Sequence, residues 1–163
     1  MKFIIKKSAA IDIEDVVTWE YEPPYHIYNS NEDFNSIDEA TAYFLDPDYA
    51  FHTIFEKESG ELVGICSFGN DGRVPGGDYS ADALDIGMGI KPSWTGQGHG
   101  FEYVQAVIAF AEETFHPTML RVTIAAFNLR AQRVWQKAGF AEVSRFDARH
   151  SKRPFIIYTR NIN

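Results

Sequence analysis

The residue types best suited to chemistry lie in a glycine-rich loop just past the middle of the chain. An apolar run over Leu84–Ile90 precedes this loop, Gly96, Gly98 and Gly100 alternate through it, and a helical pattern begins at Phe101. A glycine loop that opens a helix leaves backbone N–H groups unpaired at the positive end of the helix dipole. Glycine also lets an anion approach the backbone closely. The stretch therefore predicts a phosphate site, with an ordinary turn before a helix as the alternative.

The spacing of these glycines does not fit two common nucleotide sites. A nucleotide-hydrolase loop needs a lysine and then serine or threonine after its last glycine, and no lysine follows any of these glycines. A dinucleotide-binding fold places its glycines after the first strand of a βαβ unit, whereas this loop begins at Gly96, with no second glycine pattern in the chain.

Length and composition favour one globular domain over residues 1–163. The chain is 45% hydrophobic and 15% aromatic, and no apolar run approaches the ~18–20 residues that cross a bilayer. The N-terminal apolar stretch is too short for a signal peptide. The lone cysteine, Cys66, cannot form an internal disulfide, and we therefore expect a reducing cytoplasmic location.

The charge balance bears on the class of partner. A net charge of −8 leaves no basic stripe for a phosphate backbone, so we expect no nucleic-acid binding. The acidic surplus favours a cationic small molecule over an anionic one. The five histidines show no ligand spacing, and we expect no metal site.

Hydrophobic periodicity and turn residues predict the element order β-α-α-β-β-β-α-β-α-β-β. Residues 70–82 contain several glycines and a proline and are expected to form a mobile loop. The expected strands cover residues 3–6, 50–56, 61–68, 84–90, 119–126, 141–145 and 154–160. The expected helices cover residues 12–20, a segment opened by the capping box of Ser36 and Glu39, a segment from Phe101, and residues 128–138.

This order, with a glycine loop after the fourth strand, resembles the GNAT acetyltransferase superfamily. Its motif Gln/Arg-x-x-Gly-x-Gly/Ala is matched by Thr95-Gly-Gln-Gly-His-Gly. Its motif Asn-x-x-Ala-x-x-x-Tyr-x-x-x-Gly-Phe is matched by Asn128-Leu-Arg-Ala-Gln-Arg-Val-Trp-Gln-Lys-Ala-Gly-Phe. The resemblance implies an α/β (α+β) fold with a mixed, mostly antiparallel sheet and helices on both faces.

The resemblance also implies acetyl-CoA as acyl donor and an amine that attacks it directly. The loop amides would hold the pyrophosphate, and the end of the fourth strand would hold the pantetheine arm, with the Ile90 N–H polarising the thioester carbonyl. A non-catalytic acyl-CoA-binding or sensing module on the same fold is the alternative. The implied cofactor-binding residues are Met88, Gly89, Ile90, Thr95, Gly96, Gln97, Gly98, His99, Gly100, Phe101, Asn128 and Trp135.

Two residues depart from the family pattern. Thr95 replaces the usual arginine or glutamine and loses a long donor, although the backbone cradle remains. Trp135 replaces the tyrosine that often protonates the leaving thiolate, so that role is vacant or has moved. Asp85, on the fourth strand, is the candidate base for the incoming amine, or a carboxylate with a purely structural role.

The segment between the first two helices commonly lines the acceptor pocket in this fold. Its aromatic residues and carboxylates suit a cationic or aromatic amine, whether a small molecule or a peptide, or the aromatics belong to the core. A homodimer is one option for assembly. The candidate acceptor residues are Trp19, Glu20, Tyr21, Glu22, Tyr25 and Tyr28.

Overall fold

A computed structural model of the chain describes residues 2–163 and contains one seven-stranded sheet. The strands lie side by side in the order β1-β2-β3-β4-β5-β7-β6. Only β4 and β5 run parallel, and every other neighbouring pair is antiparallel. The strands are β1 Phe3–Lys7, β2 His52–Glu56, β3 Leu62–Phe68, β4 Leu84–Ile90, β5 Met119–Ala125, β6 Ala141–Asp147 and β7 Pro154–Asn161.

In the described residues 2–163, four α-helices connect the strands in the predicted order. Ser36 caps α2 by accepting the Glu39 N–H at 3.1 Å, and Asn128 caps α4 by accepting the Ala131 N–H at 3.1 Å. The helices are α1 Ala10–Val16, α2 Ile37–Phe44, α3 Gly100–Phe115 and α4 Leu129–Lys137, and short 3₁₀ turns cover Tyr25–Tyr28, Asn70–Gly72 and Pro92–Trp94.

The helices cover both faces of the sheet. Successive strand residues point to opposite faces, and in β3 the side chain of Ile65 joins the cluster with α1 and α2, while Cys66 joins the cluster with α3 and α4. On α3 the apolar residues recur at steps of three and four; Val104, Ile108 and Ala111 are buried, and Phe115 at the end of the helix is 37% exposed. The predicted fold class, a mixed and mostly antiparallel sheet with helices on both faces, is confirmed.

The segment 70–82 is fastened to the sheet, where the sequence predicts a mobile loop. The Val74 N–H donates to the Tyr79 hydroxyl at 2.9 Å, and that hydroxyl lies 2.8 Å from the Thr123 hydroxyl on β5. The Arg149 N–H donates to the Pro75 carbonyl at 2.8 Å. The contacts to Thr123 and Arg149 are long-range, so glycine and proline content did not reveal them.

Within residues 2–163, no helix combines the length and apolarity needed to cross a membrane.

Candidate active site

The parallel strands β4 and β5 separate soon after they meet. Their pairing covers only Leu84 with Leu120 and Asp85 with Arg121. Beyond these pairs β4 bonds to β3 and β5 bonds to β7, each on its other edge. The facing edges of β4 and β5 therefore bound an open gap in the middle of the sheet.

The backbone of β4 presents polar groups to this gap. The Lys91 N–H donates to the Val63 carbonyl at 2.8 Å, and the Asp85 carbonyl accepts from the Gly69 N–H at 2.9 Å. The backbone polar groups of these odd-numbered residues therefore point toward β3. The N–H and C=O groups of alternate residues point to opposite edges of a strand. Those of Met88 and Ile90 therefore point into the gap.

Gly89 plays a different part from its two neighbours. Its backbone groups address β3. Its α-carbon instead faces the α1 and α2 side of the sheet, where an added Cβ would lie 3.6 Å from the Ile65 methyl and 3.8 Å from the Tyr21 hydroxyl. The expected backbone contact to a bound arm is thus limited to Met88 and Ile90.

Tyr21 places a hydroxyl at the gap. The Tyr21 hydroxyl donates to the Ile90 carbonyl at 2.6 Å, and the Tyr21 backbone N–H donates to the Asn29 side chain at 2.8 Å. Burial raises the pKa of the Tyr21 phenol, against a smaller opposing effect of Arg130, so the hydroxyl keeps its proton at neutral pH.

The glycine loop has the backbone geometry of an anion cradle. Gly96 and Gly98 adopt φ of +71° and +81°, a region that other residues enter only with strain. The Tyr103 N–H bonds back to the His99 carbonyl at 3.2 Å, and the N–H groups of Gly100 and Phe101, which precede it in the first turn of α3, have no partner within the helix. Backbone N–H groups without helical partners therefore lie at the start of α3, directly after the two glycines.

Polar side chains brace this loop from its outer side. The Thr95 hydroxyl donates to Pro92 at 2.7 Å, and the Gln97 amide donates to Ser93 at 2.6 Å. His99 lies 3.5 Å from Glu102, on the partly exposed surface of the helix start. The Thr95 hydroxyl and the Gln97 amide are therefore engaged within the loop itself.

Two cationic side chains of α4 flank the cradle, and the sequence analysis did not select either. The Arg130 guanidinium lies 3.9 Å from the point where a Cβ on Gly96 would lie, and it stacks 4.3 Å from the Tyr25 ring centre. The Lys137 ammonium lies 4.5 Å from the Phe101 ring centre. Arg130 could have been selected from the sequence, because it lies two residues after the helix cap Asn128, in the first turn of α4.

The aromatic segment reaches across to the start of α4. The Asn128 side-chain amide donates to the Tyr28 hydroxyl at 3.1 Å while its oxygen caps α4. Phe127 packs against Tyr25 at 5.7 Å and Tyr28 at 6.2 Å between ring centres. Together with Tyr21, which bonds to Ile90 of β4, these residues link the β4 side of the gap to the end of β5.

The remaining candidates in this segment are placed differently. Trp19 is 6% exposed and packs in the α1 and α2 cluster, where its indole N–H donates to Asp15 at 3.3 Å. Glu20 and Glu22 are exposed. The structure therefore brings Tyr21, Tyr25 and Tyr28 to the gap region and keeps Trp19 in the core.

Asp85 is paired within the core. It is 2% exposed, its two oxygens accept from Arg121 at 2.7 and 2.8 Å, and one of them also accepts from Arg73 at 2.9 Å. These hydrogen bonds raise the pKa of Arg121. A base must have a lone pair within reach of its substrate, and here both oxygens are occupied by guanidinium groups. This placement argues against the expected base role and for the structural alternative.

Trp135 also lies in the core. It is 5% exposed and packs edge-on against Phe140, with ring centres 5.0 Å apart. One turn earlier on α4, buried Gln132 donates to the Ala126 carbonyl at 2.9 Å and accepts from the Tyr158 hydroxyl at 3.0 Å. Trp135 is therefore held by packing near the C-terminal end of α4.

A carboxylate that the sequence analysis missed lies on the α1 and α2 face of β4. Asp71 accepts from the hydroxyls of Tyr43 and Ser67, the latter at 3.2 Å. A Cβ on Gly87 would lie 3.5 Å from the Asp71 carboxylate. No local pattern reveals this group, because strand pairing and α2 bring its partners together.

Within residues 2–163, the structure contains no group of three or more histidine, cysteine, aspartate or glutamate side chains arranged to hold a metal ion.

Comparisons with known proteins agree with this architecture. A family model described as an acetyltransferase (GNAT) domain matches residues 7–141, well over half of the chain. No curated protein matches the sequence.

Solved structures share the fold at low sequence identity. Spermidine N-acetyltransferase from Vibrio cholerae, in complex with CoA and spermine, is 12% identical with a TM-score of 0.77, over 98% of this chain and 95% of that one. A GNAT-family acetyltransferase from Bacillus anthracis is 15% identical with a TM-score of 0.75, over 99% and 95% of the two chains. AAC(6')-Ib, in complex with ribostamycin and coenzyme A, is 16% identical with a TM-score of 0.75, over 99% and 94%. The chain therefore belongs to the GNAT acetyltransferase family, and its enzyme class is N-acetyltransferase.

Proposed function

We propose that this protein transfers an acetyl group from acetyl-CoA to the nitrogen of a small-molecule or peptide amine by direct attack. The observation that carries the proposal is the open gap between β4 and β5, with a glycine cradle at the end of β4. When bound, acetyl-CoA supplies a thioester whose acetyl carbon bonds to the amine nitrogen as the carbon–sulfur bond breaks and CoA leaves as its thiol.

The residues present fit acetyl-CoA. The amides of residues 97–101 would bind the pyrophosphate, since Gly96 and Gly98 hold a conformation with positive φ that turns backbone donors inward. Arg130 beside Gly96 would add a cationic contact to a phosphate. The N–H groups of Met88 and Ile90 would pair with the pantetheine arm as an added strand does.

One residue near the gap is suited to protonate the leaving thiolate. Tyr21, whose hydroxyl keeps its proton and donates a hydrogen bond to the Ile90 carbonyl, is our candidate for the role left open by Trp135, and in that role the hydroxyl would turn from Ile90 to the leaving sulfur. A thiol leaves with a pKa of about 8.5 and needs only modest help from an acid. The side chains of Tyr21, Tyr25 and Tyr28 would line the path by which the acceptor enters.

We further propose that residues 1–163 act as one domain, in the cytoplasm, without nucleic-acid or membrane partners, and that a homodimer is one form of the enzyme. The continuous seven-stranded sheet supports the first point. The net charge of −8 supports the absence of nucleic acid.

A thioester-cleavage assay tests the function. Purified protein is mixed with acetyl-CoA and a panel of amines, free thiol is measured over time, and the acetylated amine is identified by mass spectrometry. We expect thiol release that depends on the amine and matches product one to one. Tight CoA binding without amine-dependent release by any member of the panel would instead support the non-catalytic binding module.

A further inference from the structure

The side chain of Arg130 lies between the glycine loop and the aromatic segment 21–28. Its guanidinium is 3.9 Å from the point where a Cβ on Gly96 would lie, and it lies over the Tyr25 ring, 4.3 Å from the ring centre. Arg130 belongs to the first turn of α4, two residues after the cap Asn128. One side chain therefore reaches both the candidate phosphate site and the candidate acceptor wall.

The Tyr25 ring is itself held in place. It packs against Phe127 at 5.7 Å between ring centres, and the Tyr25 N–H donates to the Glu22 carbonyl at 2.8 Å. Phe127 comes directly before the cap of α4, so the ring touches both the turn that leads into α4 and, through Arg130, the first turn of that helix. The ring is therefore a fixed surface against which the long arginine side chain rests.

The N–H donors of Arg130 are not taken up by a carboxylate of the protein. None of the ion pairs within residues 2–163 involves Arg130, and its side chain is exposed. A guanidinium that lies over an aromatic ring is attracted by the ring face, while its donors point outward in its own plane. The contact with Tyr25 thus restricts the arginine before a ligand arrives, and such preorganisation lowers the entropic cost of binding.

We propose that Tyr25 is a positioning residue for the cofactor, because its ring holds Arg130 where the guanidinium binds a phosphate of CoA. This proposal rests on the proposed function, which places the pyrophosphate at the glycine loop. The same contact couples the two sites, since a phosphate that fixes Arg130 also fixes the ring that Arg130 covers. Coupling between two binding equilibria is reciprocal, so bound CoA orders the aromatic segment that lines the acceptor path.

A double-mutant cycle on CoA affinity, measured by calorimetry, tests the contact. Arg130→Met should weaken CoA binding roughly tenfold, because a charge-assisted hydrogen bond is lost. Tyr25→Leu should weaken it about three- to fivefold, because Arg130 loses its support, and it should add less than about twofold when Arg130 is already methionine. Tyr25→Phe keeps the ring and should keep the CoA affinity within about twofold of wild type.

The second cation beside the glycine loop is the control. Lys137 lies over the Phe101 ring, so Lys137→Met should leave the effect of Tyr25→Leu on CoA affinity unchanged. An equal effect of Tyr25→Leu with Arg130 present or absent would overturn the proposal. Wild-type CoA affinity in folded Tyr25→Leu or in Arg130→Met would overturn it as well.

Hydrogen exchange gives a second readout that requires no substitution of Tyr25. The N–H groups of Tyr25 and Asn29 bond within the aromatic segment, at 2.8 and 3.1 Å. Saturating CoA should slow their exchange several-fold in the wild-type protein and should not do so in Arg130→Met. Equal slowing in both proteins would contradict the coupling. A protein that shows the coupling but transfers no acetyl group to any amine would contradict the proposed function alone.

Discussion

At the scale of single residues, we propose that the hydroxyl of Tyr21 takes the proton-donor role that Trp135 cannot fill. Tyr21 is 69 residues from Ile90 in sequence, yet its hydroxyl donates to the Ile90 carbonyl at 2.6 Å. Trp135 is buried against Phe140 and has no acidic proton near neutral pH.

A pair of matched substitutions separates these two aromatics. Tyr21→Phe should lower kcat by roughly tenfold to a hundredfold, toward the lower end of general-acid effects, because a thiol leaves with little help. Trp135→Phe should keep kcat within a few-fold, since only packing changes. CoA affinity, measured by calorimetry, should change little in either variant. The reverse order of kcat losses would contradict our assignment.

The raised pKa of Tyr21 predicts how kcat depends on pH in the wild-type protein and in Tyr21→Phe. Because burial places that pKa above its ordinary value of about 10, the hydroxyl stays protonated from pH 6 to pH 10. Ionisation of Tyr21 should therefore not lower kcat below about pH 10. In this range the wild-type protein and Tyr21→Phe should show pH profiles of the same shape. A decline in this range that appears only in the wild-type protein would mean that Tyr21 ionises there.

At the scale of elements, the buried ion pair fastens β4 to β5 just before they separate. Asp85 and Arg121 are paired across the last register position of the two strands, and both are nearly inaccessible. Arg121 also donates to the Ala81 carbonyl at 2.9 Å, which ties the segment before β4 to the same point.

Removing the charge of Asp85 tests that structural role. Asp85→Asn should lower the free energy of unfolding by about 3–5 kcal/mol, since the Arg121 guanidinium stays buried without its counter-charge. Urea unfolding measures this, and Glu142→Gln in the exposed pair with Arg145 should cause little change. A large loss of kcat at unchanged stability would instead restore Asp85 as a base.

The order of elements could be predicted because it depends on local signals. The caps Ser36 and Asn128 and the apolar periodicity of α3 act within a few residues. Helix α1 begins at Ala10, two residues before its predicted start, because the Asp12 carboxylate accepts the Ala9 N–H at 2.9 Å.

The candidate site could be predicted from the sequence only where it is formed by the backbone of one continuous segment. The glycine loop was found from spacing alone, and its φ values agree with that reading. The sequence did not reveal the ion pair of Asp85, because its partner Arg121 is 36 residues away. Asp71 was missed for the same reason, since Tyr43 is 28 residues away and belongs to another element.

At the scale of the whole molecule, an acidic protein carries a local basic region beside the glycine loop. The net charge is −8, yet Arg130 and Lys137 of α4 flank the start of α3. Such local charges act within about a Debye length, roughly 8–10 Å at physiological salt, so the global charge does not prevent phosphate binding. The gap, the cradle and these cations together form one proposed binding surface for acetyl-CoA.

The most direct test of this account compares two glycines by CoA calorimetry. Gly98 in the cradle and Gly60 in the β2–β3 turn have φ of +81° and +71°, and an added Cβ would meet no atom within 4 Å at either. Gly98→Val and Gly60→Val should therefore strain the backbone similarly. We predict that Gly98→Val weakens CoA binding tenfold or more, about 1.4 kcal/mol or greater, while Gly60→Val leaves it unchanged. Unchanged CoA affinity in folded Gly98→Val would contradict the central claim that the glycine loop holds the cofactor.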